Sequence, residues 1–321
     1  MILNLKEFKH LILKYLKFTA QKSIQITRIC VISLYKIGYT FAKEFKKQSN
    51  MSKTILITGA SSGIGKETAK LFQAKGWNVI ATMRTPENET ELNQLTNTFV
   101  TKLDVLDLVS IQQALEEGVN KFGKIDVLLN NAGYGAYGPL ESFSREKILR
   151  QFNTNVIGLM DVTRAILPHF RKNKNGIIIN ISSIGGKMTF PLGSLYHGTK
   201  FAVEGISESL NFEVEQFGGQ VKIIEPGMIA TDFAGRSFDF SNDENMQEYQ
   251  SIVGKLMAAM PVMAQNASPA SVVAEVIFEA ATDGKNQLRY TAGEDAKIFL
   301  ANRQQYDDNT FIGGVKSQFG I

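Results

Sequence analysis

From Lys53 onward, short runs dense in Ile and Val alternate with longer windows of helical periodicity. No other feature of the chain constrains its fold as strongly. Strand candidates are Thr54–Thr58, Asn78–Met83, Thr98–Lys102, Val127–Asn130, Gly176–Ile181, Lys222–Glu225 and Gln287–Tyr290. Helical windows fall at 63–75, 107–122, 144–172, 194–217 and 269–282, the last read with Ser268 as its cap, Pro269 in its first turn and Gly284 past its end. Strands that are apolar throughout need cover on both faces, and alternation with helices supplies it. The expectation is an α/β chain, doubly wound, with a central, mostly parallel seven-stranded sheet. No internal repeat or low-complexity linker interrupts it, so residues 51–321 read as one domain.

The first fifty residues are different in style. They hold ten Lys and Arg against only Glu7 and Glu44, with one glycine (Gly38) and no proline. Leu5, Phe8, Leu11, Ile12, Tyr15 and Leu16 fall on one side of a helical wheel, with Lys6, Lys9, Lys14 and Lys17 mainly elsewhere. Two readings stand: a basic helix able to lie on an anionic membrane surface, or an upstream extension of a chain whose start is Met51. The remainder carries more carboxylates than cations, which argues against a nucleic-acid partner. Cys30 is the sole cysteine, so neither an intrachain disulfide nor a Cys-based zinc site can form; no metal is called for. The longest apolar run, Ile29 to Tyr35, falls well short of the roughly 18–20 residues that span a bilayer. No secretory signal is evident, and a cytoplasmic protein is expected.

Ile55-Leu56-Ile57-Thr58 runs into Gly59-Ala60-Ser61-Ser62-Gly63-Ile64-Gly65 and then a helix. A strand that reverses tightly into a helix aims the helix's first amides at a pyrophosphate, and a Cβ in that turn would block the approach. Ser61 and Ser62 add hydroxyl donors. Such a turn would suit the pyrophosphate of a dinucleotide, as in Rossmann folds. The end of the second strand selects the dinucleotide: an NAD site places an acidic residue there for the ribose 2′-hydroxyl, whereas this chain reads Met83-Arg84. A guanidinium pairs with a 2′-phosphate. NADP(H) is expected over NAD(H).

Thirteen residues beyond Ser183 stand Tyr196-His197-Gly198-Thr199-Lys200. Tyr196 and Lys200, four apart, share one helix face. A free tyrosine is a poor acid–base group at neutral pH, and a neighbouring ammonium brings its pKa down. His197, beside Tyr196, and His169 are read as structural.

These residues resemble the short-chain dehydrogenase/reductase superfamily, in its single-domain branch with a TGxxxGxG turn. Five motifs fall in order: Thr58–Gly65, Asn130-Asn131-Ala132-Gly133, Asn155-Val156-Ile157-Gly158, Ser183 with Tyr196 and Lys200, and Pro226-Gly227-Met228-Ile229-Ala230-Thr231. The stretch from Tyr196 to Leu210 is similar to hydroxysteroid and retinol dehydrogenase-like members. The resemblance implies a catalytic tetrad. Tyr196 would be the general acid in reduction and base in oxidation, and Lys200 would lower its pKa and hold the nicotinamide ribose. Ser183 would orient the carbonyl, and Asn155 would hold a water behind Lys200. Asp104 and Val105 would flank the adenine, Asn131, Ala132 and Gly133 would line the cleft, and Pro226, Gly227, Ile229 and Thr231 would pass the carboxamide.

A substrate lid is expected near 233–265. Tyr134, Tyr137, Met188, Phe190, Leu192, Phe233, Phe238 and Phe240, with Met246, Tyr249, Met257, Met260 and Met263 from the lid, suit a lipophilic carbonyl or alcohol. The alternative is that these side chains only pack the lid on the domain. Competing functions are an NAD-dependent dehydrogenase, a catalytically silent cofactor-binding sensor or scaffold, and a membrane-associated lipid-modifying reductase. The resemblance also implies a homodimer or homotetramer through helices 144–172 and 194–217.

Overall fold

The computed structural model describes His10, Leu13, Lys14, Lys17, Phe18, residues 52–231, Gly235 and residues 237–321, apart from the Met263 side chain. Leu5, Lys6, Phe8, Lys9, Leu11, Ile12, Tyr15, Leu16, Cys30, Met51 and Phe233 lie outside the described residues. Met1–Ser52 and Lys53–Ile321 are two separate compact units. In the first, His10, Leu13, Lys14, Lys17 and Phe18 are helical and exposed.

In the second unit, β1 (Thr54–Ile57) leads into α1 (Gly63–Ala74), β2 (Asn78–Met83), β3 (Thr98–Lys102), α2 (Leu108–Phe122) and β4 (Val127–Asn130). After a short strand β5 (Gly135–Tyr137) come α3 (Arg145–Phe152), a π turn over Asn153–Ile157, α4 (Gly158–Asn173) and β6 (Gly176–Ile181). Then follow α5 (Ser194–Val214), β7 (Gly219–Pro226), β8 (Ile229–Ala230), β9 (Phe238–Phe240), α6 (Gln247–Gln265) and β10 (Ser268–Pro269). The chain closes with α7 (Ala270–Thr282), β11 (Arg289–Ala292), α8 (Glu294–Gln305) and α9 (Asp308–Phe319).

Seven strands form one sheet in the order β11-β7-β6-β4-β1-β2-β3. Every pairing in it is parallel. The order reverses between β1 and β4, so the crevice outside their C-terminal ends is where a ligand fits in such a sheet. Residues of α1 and α7 (Ala69, Phe72, Val273, Ile277, Ala280) pack on one face with Ile55, Ile57 and Val79. Residues of α2 and α4 (Ile111, Leu115, Val162, Ile166, Phe170) cover the other with Leu56, Ile80 and Leu128. This two-sided cover is why the strands contain so few polar residues.

The seven strands and five helical windows all appear, with local corrections. Helix α2 starts where Asp107 accepts from the amides of Val109 and Ser110, which fixes its entry. The first strand ends at Ile57, because Thr58 already turns its hydroxyl toward the next motif. Strand β7 is longer than Lys222–Glu225, and β11 begins two residues later than Gln287. The window 144–172 is two helices split by the π turn. Ser268 does not cap α7: it pairs with Ile229 in a parallel bridge, and Pro269 takes the N-cap position. Gly284, at φ +66°, ends the helix as expected.

Candidate active site

The glycine turn is built without room for side chains. Gly59 sits at φ +68°, and a Cβ there would lie 3.0 Å from Ala132 Cα. A Cβ on Gly65 would overlap the Gly59 carbonyl and come within 2.6 Å of Asn131 Nδ2. Thr58 Oγ1 accepts from the amides of Asn131 (3.0 Å) and Ala132 (3.1 Å), and Asn131 Nδ2 donates to the carbonyls of Thr58 (2.9 Å) and Gly59 (3.0 Å). The two motifs are therefore one rigid wall. Ser62 is the N-cap of α1 yet makes no side-chain cap, so the first-turn amides keep their donors for a ligand. Across the crevice Thr231 closes on Gly63: a Cβ there would lie 3.4 Å from Thr231 Cβ. A glycine-lined cradle at an uncapped helix start fits the pyrophosphate of a dinucleotide.

The remaining cofactor candidates gather around that cradle. Ala60 N donates to Thr82 O at 2.9 Å, which sets the end of β2 beside the turn, and Arg84 follows as an exposed side chain. Ile64 packs on the core behind the turn. Asp104 folds back on itself, accepting from Leu106 N at 3.0 Å. Val105 is buried against Gly158, where a Cβ would lie 2.8 Å from the valine side chain. Gly133 abuts Asn155. Pro226 ends β7, Gly227 N donates to Ala292 O at 3.0 Å, and Ile229 is fixed in the β8–β10 bridge.

At the C-terminal edge of β6, Ser183 caps a turn over Ile184–Gly186, its Oγ accepting from Gly185 N at 3.0 Å. The same side chain is hydrogen-bonded to Tyr196. Burial pushes the Tyr196 phenol up to about 12, against the lowering effect of Ser183. That direction is opposite to the one the resemblance implied for Lys200. The Lys200 ammonium donates to Ile181 O at 2.8 Å and lies against the face of the Tyr196 ring, 5.7 Å from its centre. Burial brings Lys200 down to about 8, while Glu204, one turn further along α5, favours its charge. Asn155 sits in the π turn, a geometry that often marks functional positions. Its Nδ2 donates to Tyr134 O (2.8 Å) and Thr199 Oγ1 (3.2 Å), and its Oδ1 accepts from Tyr134 N (3.1 Å). Thr199 Oγ1 donates in turn to the Tyr196 carbonyl at 2.7 Å. Asn155 thus ties the segment after Gly133 to the helix that carries Tyr196.

On the substrate side the structure divides the expected residues. Tyr137 lies 5.5 Å from the Tyr196 ring and stacks on Phe238 at 5.4 Å, with Phe240 stacked beyond. This row exists because β5 pairs with β9, Tyr137 opposite Phe240. Lys147 holds β9 down, with Nζ 2.7 Å from Asp239 Oδ1 and 2.8 Å from Ser241 Oγ. Met188 and Phe190 do not join it. Met188 is buried with Ile184, Ala296 and Phe311, and Phe190 packs edge-on to Phe299 at 5.6 Å, because the C-terminal helices α8 and α9 cover that loop. Leu192 takes a left-handed φ of +62° and accepts from Gly138 N at 2.8 Å, joining the two loops that flank Tyr196. In the lid, Tyr249 donates to Glu141 at 3.0 Å, Met246 and Met260 are half-buried, and Met257 is exposed.

Other contributors carry no sequence signal of their own. Gln151, fully buried, accepts from Ala136 N (2.7 Å) and donates to Tyr134 O (3.0 Å), fixing the backbone that presents Tyr137. His197 is structural as expected: Nδ1 meets Gly185 O at 3.0 Å and Nε2 accepts from Phe190 N at 3.0 Å, and burial holds it down at about 4. His169 likewise bonds Ile125. Among the described residues no cluster of metal ligands occurs.

The site is a buried phenol with a serine hydroxyl on its oxygen and a lysine beneath its ring, at the mouth of a glycine cradle. Such a constellation has the chemistry to move a proton to or from an oxygen atom. The short chain dehydrogenase family model matches residues 53–271. An uncharacterised oxidoreductase of Schizosaccharomyces pombe is 47% identical over 239 residues, which are 74% of this chain and 100% of that protein. A 3-ketodihydrosphingosine reductase of Bacteroides thetaiotaomicron is 44% identical over 180 residues, 56% of this chain and 65% of its own length. Among solved structures, ElxO with NADP bound is similar with a TM-score of 0.62 and 29% identity, covering 75% of this chain and 97% of that one.

Proposed function

The chain belongs to the short-chain dehydrogenase family, and we propose that within it this protein is an NADP(H)-preferring oxidoreductase that reduces a lipophilic ketone or aldehyde, or runs the reverse. The observation that carries the reading is the Ser183–Tyr196–Lys200 arrangement beside an uncapped glycine turn. When bound, the nicotinamide would give or accept the hydride. The protein's task is the proton. With its phenol pushed up to about 12, Tyr196 stays protonated at neutral pH and is set to donate as the carbonyl oxygen gains negative charge. Ser183, hydrogen-bonded to the same hydroxyl, would orient the carbonyl oxygen. Once the proton has left, the Ser183 hydrogen bond and the Lys200 charge favour the phenolate. Because burial brings Lys200 down to about 8, that charge is present at pH 7 and fades above pH 8.

Arg84, standing where an NAD site would carry an acid, supports the phosphorylated cofactor, and the NADP bound in ElxO agrees with it. The aromatic row Tyr137–Phe238–Phe240 against Tyr196 supports an apolar substrate, and the ketone reduced by the Bacteroides relative is of that class. Exposed Ile157 on the π turn and Phe201 and Phe212 on α5 support self-association through these helices. Among the described residues no helix is long and apolar enough to cross a membrane.

The test is a matched set of kcat/KM values with NADPH and NADH over ketones graded from short polar to long apolar. A preference for NADPH of at least about tenfold, equivalent to about 1.4 kcal/mol, with activity rising along the apolar series, is the expected result. Equal use of both cofactors, or turnover confined to small polar sugars, would defeat it.

A further inference from the structure

The turn after β7 is held from outside the segment that the family model matches. Asp295, the second residue of α8, accepts from Met228 N through Oδ2 at 2.7 Å. Two glycines make room for its carboxylate. A Cβ on Gly227 would overlap it, and one on Gly293, held at φ +110°, would lie 2.6 Å from Oδ1. Oδ1 itself is buried and has no hydrogen-bond partner among the described residues. Next to this contact, Gly227 N donates to Ala292 O at 3.0 Å, and Ser268 N donates to Met228 O at 2.9 Å. A charged acceptor on a backbone amide holds more firmly than a neutral one, and a carboxylate in the first turn of a helix is favoured by the helix's own amides. The same arm reaches the other loop of the site: Ala296, Phe299, Leu300, Phe311 and Val315 pack on Ile184 and Met188, just after Ser183.

We propose that Asp295 is a positioning residue which fixes the Gly227–Ile229 backbone against the nicotinamide half of the cofactor, so that the C-terminal arm 289–319 couples the cofactor loop to the serine loop. The proposal rests on the dinucleotide reading above. It separates the two halves of the cofactor: the adenosine half would meet the wall of Gly59 to Gly133, whereas the nicotinamide half would meet the turn that Asp295 holds.

The test is a binding titration of the ligand-free protein with NADPH and with 2′,5′-ADP, which lacks the nicotinamide, for wild type, D295A and D295N. D295A is expected to weaken NADPH at least tenfold while 2′,5′-ADP stays within twofold. D295N, which keeps one oxygen to accept from Met228 N, should lie between. Amide exchange in the same ligand-free proteins should rise at 227–230 in D295A and stay unchanged at 54–66. If D295A does not fold, the near-isosteric D295N carries the test, with a weakening of NADPH alone by about threefold expected. Equal losses for both ligands, or none for either, would overturn the proposal. A wild-type chain that binds 2′,5′-ADP and NADPH with equal affinity would also overturn it. A wild-type chain that binds neither would instead remove the cofactor reading, and the proposal with it.

Discussion

The two walls of the crevice are made by different means. The cofactor wall is backbone: Gly59, Gly63 and Gly65, the amides of Asn131 and Ala132, and the Thr58 hydroxyl that joins them. Its parts lie within a few residues of the ends of β1 and β4, and the sheet brings those ends together. The wall proposed to face the substrate is side chains: Tyr137 from β5, Phe238 and Phe240 from β9, and behind them the loop that α8 and α9 cover. Its parts are about a hundred residues apart and meet through a two-stranded ladder and the ion pairs of Lys147 and Arg150 with Asp239. A backbone wall tolerates no added atom. A side-chain wall can exchange one shape for another, which is how one fold serves many substrates.

The contrast can be broken from either side, and the largest effect belongs to the backbone wall. G65A introduces a Cβ that overlaps the Gly59 carbonyl and crowds Asn131 Nδ2 at 2.6 Å. NADPH affinity, measured by fluorescence titration, should fall by more than about a hundredfold, roughly the 3 kcal/mol of a severe backbone clash. An unchanged affinity would show that the turn is looser than the fold implies. On the other wall Y137A removes the ring between Tyr196 and Phe238. An aromatic contact is worth about 1 kcal/mol, so kcat/KM for long apolar ketones should drop roughly fivefold to tenfold. NADPH affinity should stay the same, whereas a parallel loss of cofactor binding would erase the distinction between the walls.

A pH-dependent effect lies on stability beneath the serine loop. His197 is neutral in the fold, held at about 4 against 6.5 when unfolded, so the unfolded chain binds the extra proton as pH falls between these values. The contribution is complete above pH 6.5 and is lost on descending to about 4. It amounts to at most about 3 kcal/mol. The difference in unfolding free energy between wild type and H197Q should therefore narrow from pH 7 to pH 4. A constant difference would assign His197 packing alone.

The same contrast explains what was legible in the sequence. The sequence bounds of β2, β3, β4 and β6 match the folded strands to the residue, each being a short apolar or β-branched run set between helical windows. The glycine turn and the Tyr196–Lys200 spacing are local patterns with a chemical reason for each residue. The C-terminal helices were missed: α8 has almost no apolar stripe, its one fully buried residue being Ala296, so periodicity had little to register. Met188 and Phe190 were placed on the pocket because the helices that cover them were not foreseen. Asp295 had no motif at all. Its partner is a backbone amide 67 residues away, a relation only the folded sheet creates. The Tyr196 phenol shifts opposite to the sequence expectation because burial, which the Tyr–Lys spacing does not reveal, outweighs the lowering effect of its neighbours.

The central claim is that Tyr196 supplies the proton while the crevice holds the cofactor independently of it. Y196F keeps the ring beside Tyr137 and removes only the hydroxyl that meets Ser183. The decisive measurement is the single-turnover oxidation of NADPH by Y196F with a saturating apolar ketone, alongside the NADPH dissociation constant of the same variant. The account predicts a rate at least about a thousandfold below wild type, the upper range for one general acid, with the dissociation constant within about twofold. A rate near that of wild type would contradict it.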